Sequence, residues 1–275
     1  MRLRLTHALL QLLAESAAVR VLHVKGEALH PLLAQGRPTS TDCDVLVDPS
    51  ALDRFAKALA ASGWEMVTTF EHGSVFEHAA TFYNPAWGTA DVHRRFPGLD
   101  ADPQATFERL WADHEQISAG GVPIAVPDLT AQRLVMLVHA ARNSGAAASP
   151  DGMRAWDGAD VDSRARVEAL AQELGAQVPL LIATGRAGET DGMPGARVWL
   201  ALGDHADPTT VWWMRLREAR GLRAKLRIMW LAAHVNPDHL ALRLGRAPSR
   251  ADLRREWLAR IPRGSRRLWA MIRRS

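Results

Sequence analysis

Short apolar runs separated by polar segments organise the first part of the chain. Val21–Val24 is apolar apart from one histidine and ends at Lys25-Gly26, and a second apolar run, Val45–Val47, follows the acidic segment Asp42-Cys43-Asp44. Runs of this length, bounded by glycine and polar residues, predict buried β-strands. The residues between the two runs predict a helix followed by a polar loop.

The next segments continue this alternation of strands and helices. Apolar residues recur at helical spacing over Ala51–Ser62, and Asp48-Pro49 and Gly63 are typical residues for the start and the end of a helix. Trp64–Phe70 and Ser74–Tyr83 predict two further strands because β-branched and aromatic residues dominate them.

The pattern becomes helical after Pro97. Four segments show the helical spacing: Phe107–Ile117, Leu129–Arg142, Ser163–Gly175 and Val178–Thr184. The chain is therefore predicted to be of the α+β class, with a mixed unit over residues 1–97 and a mainly helical unit over residues 98–275.

Composition indicates a folded protein without a disulfide framework. A chain of 275 residues that is 47% hydrophobic can bury a sizeable core, and Cys43 is its one cysteine. The apolar stretch Leu9–Ala14, interrupted by Gln11, is too short for a secretory signal or a membrane span. A cytoplasmic protein without integral membrane association is the expectation.

Basic charge is concentrated in the C-terminal third. From Met214 onward the chain holds 17 Lys or Arg and 4 acidic residues, whereas the preceding part holds 17 and 26. Tryptophans are interleaved with these basic residues, and Leu253–Ile261 and Arg263–Ile272 are predicted amphipathic helices. Such a surface either packs its tryptophans on neighbouring helices or binds a polyanion, an acidic acceptor or an anionic membrane.

Asp42 and Asp44 are separated by one residue at the start of a predicted strand. Side chains alternate along a strand, so both carboxylates are expected on the same face. Two like charges about 4 Å apart repel by roughly 4 kcal/mol at an effective dielectric of 20, so the pair needs a compensating cation. Oxygen ligands without a nearby cysteine pair favour Mg²⁺ or Mn²⁺ over zinc.

A third acidic residue lies in Thr89–His93. If this segment is extended, Asp91 and His93 share one face of a strand. Three carboxylates on neighbouring strands can hold two metal ions about 3.5–4 Å apart, the arrangement used for in-line phosphoryl or nucleotidyl transfer.

Lys25-Gly26 is a candidate anion-binding turn. Glycine at a strand-to-helix turn lets backbone N–H groups approach an anion, the helix N-terminus is positive, and lysine adds a mobile charge. A plain turn is the alternative. Arg37 is open between a phosphate contact, a pair with Asp42 and an ordinary exposed turn.

Taken together, these segments resemble the Lys-Gly branch of the nucleotidyltransferases of the DNA polymerase beta superfamily. The resemblance is carried by Leu22–Leu29, Arg37, Asp42–Val47 and Ala90–His93 and, more weakly, by Asp128-Leu129, His139–Ala141 and Asp157–Asp160. It covers about the first two thirds of the chain. It implies a nucleotidyltransferase domain, a small mixed sheet with flanking helices, followed by a helical domain.

The resemblance also implies a reaction. A nucleoside monophosphate would move from a nucleoside triphosphate, taken as ATP because ATP is abundant, to an unknown acceptor that is a small molecule, a peptide or an RNA. Two Mg²⁺ ions would be bound by Asp42, Asp44 and Asp91, and Asp91 would activate the acceptor. The residues assigned to the nucleotide are Lys25, Gly26, Arg37 and His93.

Other interpretations stay open. His72, His78 and His93 suggest zinc but lack the short spacing of zinc sites. His139, on an apolar helix, is interpreted as a structural histidine. The protein could instead be a non-catalytic nucleotide- or partner-binding module, or a polyanion binder that uses its basic C-terminal third.

Overall fold

The computed structural model describes residues 1–71, 76–143, 149–203, 208–219, 221–244 and 246–259. Its centre is a mixed sheet with the strand order β1-β2-β5-β4-β3. The strands are β1 Val21–Val24, β2 Asp42–Val47, β3 Glu65–Thr68, β4 Ala79–Asn84 and β5 Gly88–His93. β2 and β5 run parallel, and the other neighbouring strands are antiparallel. With helices on both faces of this small sheet, the predicted α+β class is confirmed.

Helices make up most of the remaining chain. The helices before the middle of the chain are α1 Arg2–Ser16, α2 Pro31–Ala34, α3 Leu52–Ala61, α4 Pro103–Ala112 and α5 Leu129–Asn143. The later ones are α6 Pro150–Gly152, α7 Val161–Glu173, α8 Gln177–Ala183, α9 Ala196–Gly203, α10 Pro208–Glu218, α11 Leu222–Ala233 and α12 Pro237–Leu244. Residues 250–259 are helical as well. The predicted helices over 51–62, 129–142, 163–175 and 178–184 are confirmed to within about two residues, the usual scatter of helix ends.

One face of the sheet is closed by α1 and α3. Leu10 and Phe55 from these helices pack against Cys43, Val45 and Val47 of β2 in a buried apolar cluster. Because alternate residues of β2 fill this core, the side chains of Asp42, Asp44 and Leu46 point to the other face.

The opposite face packs against α4, α5, α7, α8 and α9. Its core joins Leu22 and Leu46 of the sheet to Phe107, Leu137 and Val167 of these helices. The second face therefore carries the acidic residues at the edge of a core that extends into the helical part of the chain. The domain boundary after residue 97 stays a prediction.

Two buried histidines join α1 to β1. His7 Nδ1 lies 2.8 Å from His23 Nδ1, and His23 Nε2 lies 3.2 Å from Gln11 Oε1. An amide oxygen accepts, so His23 donates from Nε2 and accepts at Nδ1, where His7 donates. His7 Nε2 is buried and has no hydrogen-bond partner in the described part of the chain.

Two sequence predictions are wrong in detail. The helix predicted over Phe107–Ile117 ends at Ala112, and a hairpin follows, formed by β6 Glu115–Ala119 and β7 Val122–Val126. Its two-residue turn is Gly120-Gly121, with φ of +60° and +87°, a composition that favours tight hairpins.

The second correction concerns the residues after Lys25. The structure has a 3-10 turn, Gly26–Ala28, and the short α2 in place of one helix. Pro31 cannot donate a backbone hydrogen bond to a preceding turn, and the His30 side chain caps α2 by accepting from Leu32 N. A helix dipole directly after Gly26 is therefore not available.

The C-terminal helices contact the sheet at the β3 and β4 side. Arg227 of α11 pairs with Glu77 at 2.5 Å, and Asp238 of α12 accepts a hydrogen bond from Thr69 N at 2.8 Å. The helix over 250–259 agrees with the prediction for Leu253–Ile261 as far as residue 259, whereas residues 260 and 261, the predicted helix Arg263–Ile272 and His72 lie outside the described residues. Within the described ranges, none of the helices has both the length and the apolarity that a membrane crossing requires.

Candidate active site

Asp44, Asp91 and His93 meet on the second face of the sheet. Asp44 lies opposite Asp91 in the parallel register of β2 and β5, and His93 follows two residues later on the same face. One ligand atom from each of the three side chains lies within 4.8 Å of the other two. Local strand alternation and a single parallel pairing are thus sufficient to build this cluster.

The Asp44 carboxylate is buried and receives two hydrogen bonds at one oxygen. Lys25 Nζ lies 2.8 Å from Asp44 Oδ1, and His93 Nε2 lies 2.7 Å from the same oxygen. Burial raises the pKa of the Asp44 carboxyl, but the Lys25 ammonium and the His93 hydrogen bond outweigh burial and hold that pKa well below its usual range. Asp44 is therefore a carboxylate throughout the physiological pH range.

Asp91 has the opposite electrostatic environment. Its pKa is raised, first by burial and further by the charges of Asp44 and Asp42, while a hydrogen bond from Thr81 Oγ1 at 2.8 Å partly offsets these effects. A carboxylate with a raised pKa is a stronger base than an exposed aspartate. Of the two carboxylates in the cluster, Asp91 is thus the one that binds a proton more readily.

Asp42 is close to this cluster but outside the 4.8 Å group. Its Oδ1 accepts a hydrogen bond from Ser40 Oγ at 2.9 Å, and Ser40 Oγ also donates to the Asp42 backbone carbonyl at 3.1 Å. Ser40 therefore fixes the orientation of the first acid of the pair.

The turn at Lys25-Gly26 requires an unusual backbone. Lys25 has φ +59° and ψ −172°, a region that residues with a Cβ rarely adopt, and Gly26 follows with φ +49°. A Cβ added to Gly26 would lie 3.0 Å from Ser40 Cβ and 3.2 Å from Ser40 Oγ. Gly26 is thus needed both for its positive φ and for its close contact with the residue that holds Asp42.

The donor set suits a divalent cation. Two carboxylates of the group repel each other, and His93 Nδ1 is buried without a hydrogen-bond partner among the described residues. Carboxylate oxygens are preferred ligands of Mg²⁺ and Mn²⁺, and an imidazole nitrogen is compatible with the latter. The side chains present therefore fit the ion that the sequence predicts.

Helix α5 contributes two residues that sequence analysis did not assign to the site. His139 and Arg142 are three residues apart and line a cavity together with Lys25 and His93. The apolar walls of this cavity include Phe96 and Val138. Polar side chains three residues apart in the apolar second half of this helix were the available signal, and His139 was interpreted as structural.

Arg37 does not contact the acidic cluster. Its Nη1 pairs with Asp151 Oδ2 at 2.5 Å, and the neighbouring Arg154 bonds the same carboxylate at 3.2 Å and the Gly36 carbonyl at 3.1 Å. Of the alternatives for Arg37, a pair with Asp42 is not formed. Arg37 borders an open cleft of about 630 Å³ that Gly26 also lines.

Cys43 and His78 add no metal ligand to the group. Burial, together with the charge of Asp44, raises the pKa of the Cys43 thiol to about 12, and its side chain lies on the opposite face of the sheet. Burial lowers the pKa of His78 to about 2, and its ring lies 5.3 Å from that of His93. Among the described residues, Asp44, Asp91 and His93 form the one group of this kind.

Comparison with known proteins places these residues inside one segment that matches a family model. A family model described as "Uncharacterised nucleotidyltransferase" matches residues 2–190. A crystal structure of the lincosamide antibiotic adenylyltransferase LnuA with bound lincomycin matches at 17% identity and a TM-score of 0.32, over 44% of this chain and 78% of that chain. No curated protein matches the sequence. The family segment contains every site residue that the sequence predicts.

Proposed function

Because the chain belongs to the family of uncharacterised nucleotidyltransferases, we propose that it transfers a nucleoside monophosphate from a nucleoside triphosphate to an acceptor in an Mg²⁺-dependent reaction. The observation that carries this proposal is the convergence of Asp44, Asp91 and His93 within 4.8 Å beside Lys25. ATP is the proposed donor, and the acceptor is a small molecule, a peptide or an RNA.

The proposed metal ligands are Asp44 and Asp91, with Asp42 as the third carboxylate. Two Mg²⁺ ions, or Mn²⁺, would supply positive charge at the reacting phosphate and lower the pKa of the acceptor hydroxyl. His93 keeps Asp44 in place through its 2.7 Å hydrogen bond. Ser40 does the same for Asp42, and Thr81 for Asp91.

Asp91 is proposed as the residue that takes the acceptor proton. It lies in register with Asp44, on the face of the sheet that carries the proposed metal ligands. The acceptor oxygen loses its proton to the Asp91 carboxylate and forms a bond to the α-phosphorus. The bond from that phosphorus to the bridging oxygen breaks, and pyrophosphate leaves with the electron pair.

Lys25 is proposed to contact the triphosphate. Its Nζ lies 2.8 Å from Asp44 Oδ1, so this side chain reaches the centre of the acidic cluster. A lysine is a mobile point charge that suits phosphate oxygens, and its fixed backbone at φ +59° restricts where that charge can go.

Calorimetric titration with ATP, GTP, CTP and UTP in the presence of Mg²⁺ tests the proposal. The wild type is expected to bind one of them in a metal-dependent way, and the Asp42→Asn/Asp44→Asn variant is expected to lose that binding. Asp53→Asn, an exposed acid of α3, is the matched control and should bind like the wild type. Pyrophosphate release on addition of candidate acceptors then measures transfer.

Absence of binding to all four nucleotides at millimolar concentration would contradict the proposal. In that case a polyanion would be the next ligand to test, with affinity that falls steeply as salt is added. Nucleotide binding without pyrophosphate release for any acceptor would favour a non-catalytic module.

A further inference from the structure

Helix α11 carries a row of exposed large apolar side chains. These residues and the exposed fractions of each are Leu222 73%, Leu226 52%, Met229 46% and Trp230 57%. Because an α-helix turns about 100° per residue, the four side chains form one stripe about 100° wide. Such a stripe ordinarily faces the core of a folded protein. In α11 the stripe is exposed.

The inner side of α11 holds the helix in this orientation. Ile228 and Leu231 are half-buried, and they lie about 180° from the stripe on the helix circumference. Arg227 Nη2 pairs with Glu77 Oε2 at 2.5 Å, and α11 also contacts α10. A rotation of α11 that buried the stripe would break these contacts. The outward direction of the stripe is therefore a fixed feature of the fold.

Basic side chains border the stripe on both edges. On the helix circumference Arg223 is next to Trp230, and Lys225 is next to Met229. Arg223 and Lys225 are exposed, and neither forms a hydrogen bond or an ion pair with another residue that the structure describes. The sequence over 219–237 contains four basic residues and no acidic residue. The stripe and its two basic borders together form the outer face of α11, which is apolar at its centre and positive at both edges.

We propose that the outer face of α11 binds the surface of an anionic lipid membrane. A helix of this kind lies in the plane of the membrane and buries its apolar side about 5–10 Å deep, while the bordering Lys and Arg side chains reach the headgroups. Tryptophan favours this boundary between lipid and water. The 12 residues of α11 span about 18 Å, so the helix lies on a hydrocarbon core of about 30 Å and does not cross it.

Charge and shape favour a lipid surface over other occupants of this face. A second copy of the face, or residues 260–275 with six arginines and no acidic residue, would bring like charges together. A nucleic acid would pair its phosphates with the basic borders but would leave Leu222 and Leu226 against a polar strand. An acidic groove of another protein would have to enclose the helix, whose inner side already packs on the chain. A flat surface with anionic headgroups and an apolar interior matches both parts of the face.

Vesicle binding by the full chain tests the proposal. The protein is mixed with vesicles of phosphatidylcholine alone or with about one third phosphatidylserine, and bound protein is measured by sedimentation. The wild type is expected to bind the anionic vesicles at least about tenfold more tightly. Leu222→Gln/Leu226→Gln should weaken this binding by about tenfold or more, because two apolar side chains no longer enter the lipid. Arg223→Gln/Lys225→Gln should weaken it by about fivefold for each charge removed.

Exposed residues on other helices provide matched controls. Leu12→Gln/Val161→Gln removes two apolar side chains of α1 and α7 that are also exposed. Arg54→Gln/Lys57→Gln removes two exposed basic side chains of α3. Both control variants should bind the anionic vesicles like the wild type. Because every substituted side chain is exposed, the variants should unfold at the same urea concentration as the wild type.

A fluorescent label on α11 measures insertion directly, also where a double variant does not fold. Cys43 is buried, and burial raises the pKa of its thiol to about 12, so it does not compete for a thiol reagent at neutral pH. An environment-sensitive label on Leu226→Cys should shift its emission to shorter wavelength when anionic vesicles are added, and a label on Lys57→Cys should not. Short-wavelength emission from the Leu226→Cys label without vesicles, unchanged by their addition, would overturn the proposal, because the face is then covered by protein.

Three further results would overturn the proposal. The first is absence of binding to the anionic vesicles. The second is binding that depends on the basic borders but not on Leu222 and Leu226, which would favour a polyanion such as single-stranded RNA held by charge alone. The third is a dimer that dissociates in Leu222→Gln/Leu226→Gln and does not bind vesicles, which would assign the face to a second copy. Metal-dependent nucleotide binding should be unchanged in all these variants, so this proposal and the proposed function fail independently.

Discussion

Replacing Gly26 with alanine tests how the turn supports the acidic pair. Gly26 has φ +49°, and an alanine Cβ would lie 3.0 Å from Ser40 Cβ. Ser40 in turn holds Asp42 through a 2.9 Å hydrogen bond. The substitution should therefore strain the backbone and displace Ser40. The displacement of Ser40 should in turn disturb the orientation of the Asp42 carboxylate.

Gly121→Ala is the matched control for the backbone contribution. Gly121 has φ +87°, and no atom lies within 4 Å of its added Cβ. This φ is further from the left-handed minimum near +57° than that of Gly26, so the control carries at least as much backbone strain. Each alanine should lower the free energy of unfolding by about 1–2 kcal/mol through the positive φ.

The contact with Ser40 should add a further loss in Gly26→Ala alone. Forcing an extra carbon into a tight contact typically costs about 1–3 kcal/mol, which is the expected difference between the two variants. Urea unfolding followed by tryptophan fluorescence measures both losses, and calorimetry measures Mg²⁺-dependent nucleotide binding. Gly26→Ala should bind more weakly, whereas Gly121→Ala should bind like the wild type.

Equal stability of the two variants, with unchanged nucleotide affinity in Gly26→Ala, would refute this account of the turn. A Ser40→Gly background gives a second check, because it removes the Cβ that the new methyl group meets. In that background the extra loss of stability in Gly26→Ala should disappear, as the coupling of two contacting residues requires.

Three other predictions address charged groups of the site and the buried histidine pair between α1 and β1. Lys25→Met removes the ammonium from buried Asp44 and should lower the free energy of unfolding by about 3–5 kcal/mol. In urea unfolding, Mg²⁺ should recover part of the stability that this variant loses. An equal loss with and without Mg²⁺ would contradict a metal at Asp44. At saturating nucleotide, Asp91→Asn should lower pyrophosphate release by at least about a hundredfold, and near-normal release would exclude Asp91 as the base. Burial lowers the pKa of His7 from 6.5 to about 4 and the pKa of His23 well below 6.5. As the pH drops from 6.5 toward 4, the two histidines are therefore protonated in the unfolded chain before they are protonated in the folded protein, and the free energy of unfolding falls. For His7 this loss of stability reaches roughly 3 kcal/mol. The urea midpoints at pH 7 and pH 5 should differ less in His7→Phe than in the wild type. The same difference in both proteins would contradict the assignment of this pH dependence to His7.

Sequence periodicity predicted the parts of the fold that depend on local pattern. Asp42, Asp44 and Asp91 could be placed on strands because alternation and turn residues are local signals, and the α5 helix followed from its apolar spacing. The β6–β7 hairpin was missed although Gly120-Gly121 marks it, because helical spacing in the preceding segment was extended too far.

Contacts between distant segments could not be predicted from the sequence. Lys25 bonds Asp44 because β1 pairs antiparallel with β2, and no local pattern gives that register. Arg142 reaches the cavity only because α5 packs across the second face of the sheet. The pairing of Arg37 with Asp151 likewise joins segments more than a hundred residues apart.

The repulsion between closely spaced carboxylates predicts a compensating cation but does not determine whether that cation is a metal ion or a basic side chain. In the structure a lysine compensates Asp44, so a pair of acids on one strand does not by itself distinguish a metal site from an ion pair. The third acid makes the distinction. Lys25 neutralises one charge, whereas burial and, after it, the charges of Asp44 and Asp42 raise the pKa of Asp91. That surplus of negative charge is what a divalent ion would bind, and it is why the proposed reaction depends on Asp91 as much as on the pair that first indicated it.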